Sequence, residues 1–202
     1  VKYVNKITAE VTNSSTLTSF NSNGFSLGSE AGGNQNSLGY VGWSWKAGGT
    51  GVSNTNGSIT STVSVNTAAG FSIVSFTGTG STATVGHGLS STPDIIMVAN
   101  RSVGGHWNFM HSAVNGHTGY MYSDGNGAFG SPYTPPWNGT APTNSYFTVG
   151  NDSDTNGSAS AIIAYCWHEV SGYSKFGSFT GNGSSTGPTV TTGFQPSFVL
   201  IK

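Results

Sequence analysis

The sequence is poor in charge and almost without cysteine. Lys and Arg number 6 and Asp and Glu 7, so charged residues make up 6% of 202, against about 25% in an ordinary soluble domain. A net charge of −1 leaves no basic footprint for a phosphate backbone, so nucleic acid is not expected as a partner. No apolar run approaches the roughly 18 residues of a membrane span, and no charged segment leads into an apolar one at the start, so neither membrane insertion nor a leader is expected. A single cysteine, Cys166, excludes an intrachain disulfide and a zinc site of the usual cysteine spacing. It lies in the apolar run 161–167 and reads as a buried core thiol, with an interchain disulfide or a nucleophile as the rarer alternatives. Seven acids are few for glycosidase chemistry, which needs two facing carboxylates. No Gly-x-Ser-x-Gly nucleophile elbow is expected, since Gly130-Ser131 runs straight into Pro132. No catalytic residues, and no enzyme, are expected.

Glycine is abundant, at 31 residues, about twice its usual share, and Ser, Thr and Asn fill much of the remainder. Aromatic residues reach 12%, enough to supply buried surface and to argue against disorder. No window holds a 3.6-residue apolar period. Short β-rich runs alternate with Asn-Gly and Asp-Gly pairs, among them Asn23-Gly24, Asn56-Gly57, Asn138-Gly139, Asn156-Gly157 and Asn182-Gly183, which suit tight turns between antiparallel strands. Residues 59–65 read as a strand with one polar face, and 94–98 and 197–201 as strands buried on both faces. The stretch 131–142 holds four prolines and reads as a loop. The fold class expected is all-β, an antiparallel β-sandwich.

An internal repeat organises the chain. Residues 25–47 lie on 147–169 without a gap at an offset of 122, pairing Phe25 with Phe147, Gly28 with Gly150, Asn34 with Asn156 and Trp45 with Trp167. Residues 75–81 lie on 178–184 at an offset of 103, which also puts Pro93 on Pro196 and residues 95–98 on 198–201. The linker between the two motifs is therefore 19 residues longer in the first copy. The units expected are 1–49, the closing half of a repeat; 50–69, a Gly/Ser/Thr/Asn-rich linker or strand; 70–172, a complete repeat; and 173–202, the opening strands of the next. Phe198, Val199, Leu200 and Ile201 would then form an apolar strand in need of partners. Either the chain is a segment of a longer array, or another copy completes the half repeat by strand addition, which makes a homo-oligomer or head-to-tail filament.

Several of these motifs carry a resemblance. Residues 70–78, Val85-Gly86-His87-Gly88-Leu89, Pro93-Asp94-Ile95-Ile96 and Asn100-Arg101 resemble a repeat module of tailed-phage tail fibres, frequent in cyanophages. Residues 163–170 and 172–183 are similar to that module's closing strand and its next start, and 40–49 to the closing strand in its other common form. Gly42 and Ser44 stand where that module often has Ala and Cys, and Ala99 where Lys is common. The resemblance implies a structural virion or extracellular protein with no catalytic residues.

Three constellations are candidates for binding. Asp152, Asp154, Asn156 and Ser158 alternate as in the first half of a calcium loop, but Ile163 stands where the bidentate acid is needed, so an Asp/Asn-rich turn is the plainer reading and no cofactor is expected. His106, His111 and His117 cluster at spacings that put them on different faces or loops, and read as core-edge or solvent-facing; His87, between two glycines, reads as a turn residue bonded to backbone. Trp107, Tyr120, Tyr122, Tyr133 and Trp137 flank the proline-rich loop. They could stack on sugar rings with Asn126 and Asn138 as hydrogen-bonding groups, which makes a host-surface glycan the possible second partner; packing in a core or between subunits is the alternative. Trp43, Trp45 and Trp167 belong to the closing strand of the repeat and read as core or interface.

Overall fold

In the strand Phe71–Thr77 the side chains of Val74 and Phe76 are buried while Ile73 and Ser75 are half-exposed. This period of two marks a strand with one face on a core. The computed structural model describes residues 1–4, 6–114, 119–123, 125 and 134–201, and it is all-β with antiparallel sheets. Its strands are β1 (Leu17–Asn21), β2 (Gly24–Leu27), β3 (Val52–Asn54), β4 (Ser61–Asn66), β5 (Phe71–Thr77), β6 (Ala83–Gly86), β7 (Ile95–Asn100), β8 (Asn108–His111), β9 (Met121–Tyr122), β10 (Tyr146–Val149) and β11 (Ala161–Trp167). Two one-turn helices, α1 (Ala31–Asn34) and α2 (Ser153–Asn156), interrupt them.

A seven-stranded sheet runs β3-β4-β5-β11-β7-β8-β9, and β6 with β10 forms a second layer across its inner face. Val63, Val74, Phe76, Ile96, Val98, Met110, Ile162, Ala164 and Cys166 pack from the large sheet against Val85, Phe147 and Val149 of the small one. Trp137, Leu89 and Ile59 close the ends of that sandwich core. Central β11 holds the sheet together, with Ile162 opposite Phe76 on one side and Asn100 on the other. Burial in the apolar interior pushes the Cys166 thiol up to about 12, so it is inert as a nucleophile.

The outer face of the large sheet carries an aromatic stripe. Trp45 lies 6.3 Å from Phe71 and 5.8 Å from Trp167, while Tyr165 stacks between Trp167 and Trp107 at 6.2 and 6.1 Å. Residues 1–4 and 6–11 strap across this face. Trp107 Nε1 donates to Tyr3 O, Gly105 N–H to Ile7 O and Glu10 N–H to Arg101 O, and the Arg101 guanidinium bonds the Glu10 carboxylate.

Several expectations need correction. Of the two readings open for residues 50–69, linker or strand, the chain takes the strand: β3 and β4 form one edge of the large sheet, and β4 pairs with β5. The strand expected at 197–201 is in no ladder, and Phe198, Val199, Leu200 and Ile201 are exposed. Of their counterparts in β7, which β11 and β8 flank, Ile96 and Val98 are buried and Ile95 and Met97 half-exposed, so 94–98 is buried on one face and not on both, and 197–201 has neither neighbour. Asn156-Gly157 is not a hairpin turn but the end of α2.

Candidate functional site

The repeat is visible in three dimensions. An offset of 122 carries β2 onto β10 and α1 onto α2, residue for residue. The Asn34 N–H donates to Glu30 O and the Asn156 N–H to Asp152 O, each at 2.8 Å. Asn34 Nδ2 donates to Gly28 O at 2.8 Å and Asn156 Nδ2 to Gly150 O at 2.7 Å. Gly28 and Gly150 both sit where a Cβ would collide with a carbonyl, that of Ser15 or Pro135, and that close approach requires glycine.

The surroundings of the two asparagines differ. In the central module Asn156 is fully buried and ties two segments together: its Oδ1 accepts from Thr79 N–H at 2.8 Å and its Nδ2 donates also to Ser81 O at 2.7 Å. Among the described residues the Asn34 side chain makes the Gly28 bond and no other. β10 pairs with β6, whereas β2 pairs only with β1 in an exposed hairpin. Residues 39–45, the counterpart of β11, form no strand and expose Tyr40, Val41, Trp43 and Trp45. Residues 174–201, the counterpart of β5 to β7, likewise form no strand and expose Phe179, Val190 and 198–201. The two stretches meet where the Trp43 and Phe198 rings lie 5.2 Å apart. Trp43 and Trp45 therefore belong to no core of this chain, and Trp167 lies on the outer face.

The calcium-like residues are otherwise engaged. Asp152 Oδ1 accepts from Asp154 N–H and caps α2, Asp154 Oδ2 accepts from His106 N–H, and Asn156 bridges Thr79 and Ser81. Burial raises the Asp152 carboxyl above its ordinary range. Among the described residues no group of three His, Cys, Asp or Glu side chains could hold a metal, and the three candidates are corrected to turn-forming residues whose oxygens serve backbone N–H groups.

The glycan-binding candidates are also redistributed. Trp107 is 3% exposed and Trp137 1%, so neither offers a ring face to a sugar; both are drawn inward by the area that a buried indole removes from water. Tyr120 packs against the core, and Tyr122 stacks on the His106 ring at 4.0 Å. Asn138 adopts a left-handed turn. Tyr133, Asn126 and His117 lie outside the described residues. His111 Nδ1 accepts from Ala113 N–H.

His87 is a backbone-bonded turn residue, yet it is wholly buried, which the flanking glycines did not announce. Its Nδ1 accepts from Leu89 N–H at 3.1 Å, so Nε2 carries the proton and donates to Thr143 O at 3.1 Å. Burial lowers its pKa. Gly183-Ser184-Ser185-Thr186-Gly187 has the spacing of a nucleophile elbow but lies in an exposed stretch that joins no strand to a helix, so the context the motif needs is missing.

Residues 2–202 match a family described as a domain of unknown function, DUF7483, and the chain belongs to it. No curated protein and no solved structure matches it. No described helix is long and apolar enough to cross a membrane.

Proposed function

We propose that this protein is a structural subunit of an extracellular or virion fibre, assembling with copies of itself through its repeat halves. One observation carries the reading. Residues 24–47 and 174–201 repeat the strands of the central sandwich, yet lie outside any seven-stranded ladder with their apolar side chains in water. Apolar stretches whose strand partners are missing offer unpaired backbone N–H and C=O groups to another chain, as an exposed sheet edge does. Two different surfaces joined head to tail grow into an open filament wherever the rotation between copies does not close into a ring. A surface dense in Ser, Thr and Asn and poor in charge supports a part held by backbone pairing. The resemblance to tail-fibre modules points the same way.

Negative-stain electron microscopy with light scattering tests this. Uniform filaments or concentration-dependent oligomers are expected, and removal of residues 191–202 should abolish them. Compact monomers at all concentrations, or assembly that survives that deletion, would overturn the reading.

A further inference from the structure

The central module shows what the two unpaired stretches lack. Asn156 closes it by reaching from α2 to the segment after β5, and the offset of 103 carries Thr79 and Ser81 of that segment to Asn182 and Ser184. The donor turn is already formed. Gly80 and Gly183 are both left-handed, at φ +73° and +66°. Ser81 N–H donates to Thr79 Oγ1 in one turn, and Ser184 N–H to Asn182 Oδ1 in the other. The acceptor is equally formed, since Asn34 holds its own Gly28 bond as Asn156 holds Gly150.

We propose that residues 24–45 of one copy receive residues 178–201 of a second copy in the register of the central sandwich, with Asn34 as the pin. This deepens the assembly reading above and rests on it. Asn34 Oδ1 accepts from the Asn182 N–H, and Asn34 Nδ2 donates to the Ser184 carbonyl. Residues 39–45 become a central strand. Tyr40 faces Phe179 as Ile162 faces Phe76, Gly42 faces Ile201 as Ala164 faces Val98, and Trp45 faces Phe198 as Trp167 faces Ile95. The small residues Gly42 and Ser44 fall where Ala164 and Cys166 are fully buried. Glu30, just before α1, is the one charged residue in 24–45 and 178–201, and none falls in the facing segments 39–45 and 178–201, so the strand pairing buries no ion. Each copy carries one acceptor and one donor, as head-to-tail growth requires. Within a single chain the Trp43 and Phe198 rings touch at the diagonal that Tyr165 and Ile95 occupy in the template, but the ladder is not made.

Paired cysteines in the full chain test the register. Gly42→Cys has room, with only the tip of Phe25 at 3.7 Å, and native Cys166 is buried and unreactive. Mild oxidation of G42C/I201C should give a ladder of covalent multimers on a non-reducing gel, well above that of the displaced pair G42C/V199C. Closed monomers alone, or equal cross-linking by both pairs, would overturn the proposal. Asn34→Ala should raise the concentration needed for assembly by about tenfold and shift the monomer's unfolding midpoint less than Asn156→Ala does; an unaltered assembly concentration removes the pin. Filaments without the G42C/I201C cross-link would sink this register while the assembly reading stands, whereas no association at all would sink both.

Discussion

Residues 146–167 and 24–45 share a sequence pattern and differ in their neighbours. Both form a short strand, a glycine pressed against a carbonyl and a one-turn helix ending in Asn. Phe147 is 1% exposed and Phe25 47%. The local sequence makes the same turn twice, because the side-chain bond from Asn back to Gly that closes it spans six residues in each copy. Burial comes only where the segment after β5 and the strands β5 and β7 lie alongside. A repeat therefore specifies its own shape and leaves its stability to whatever completes the sandwich.

Substitutions at equivalent positions sharpen that contrast. Phe147→Ala should cost about 3–5 kcal/mol, and Phe25→Ala, in dilute monomer, no more than about 0.5 kcal/mol. Urea unfolding of both variants reads the difference, and equal losses would show that the first half is as well packed as the second. Asn156→Ala comes next, at about 2–3 kcal/mol, because it strands Thr79 N–H and the Ser81 and Gly150 carbonyls. Asn34→Ala in dilute monomer should cost less than about 1 kcal/mol.

The pH response should follow the buried His87. Burial lowers its pKa from the ordinary 6.5, so the unfolded chain takes up a proton below that pH which the folded chain resists. The unfolded state then binds more protons, and stability falls as pH drops below 6.5 while being fully present above it. Urea midpoints at pH 8 and pH 5 measure this, and His87→Gln should flatten the slope. The smallest effect belongs to the exposed pair Lys175 and Glu169, 2.8 Å apart. Glu169→Ala should change stability by about 0.5 kcal/mol or less, and a larger loss would show that the stretch after β11 is held more firmly than its exposure indicates.

Much of the fold was legible. Cys166, the apolar run around it and the strand at 94–98 announce a buried sheet centre, and the period of two in 59–65 gives β4. The equivalence of Asn34 with Asn156 is also in the sequence, although its meaning as a lock is not. That needs Thr79 and Ser81, which lie 77 and 75 residues from Asn156. The inward turn of Trp107 and Trp137 was equally illegible, since an aromatic beside a proline-rich loop serves a core or a ligand with the same letters.

By itself the sequence determined the class, the repeat and its turns, because glycine, asparagine and alternating apolar residues act over a few positions. The tertiary structure decided which copy is buried, that β3 and β4 form the edge of the large sheet beside β5, and that 197–201 stays unpaired. Those outcomes depend on which strands stand beside a segment, and no segment carries its neighbours in its own composition.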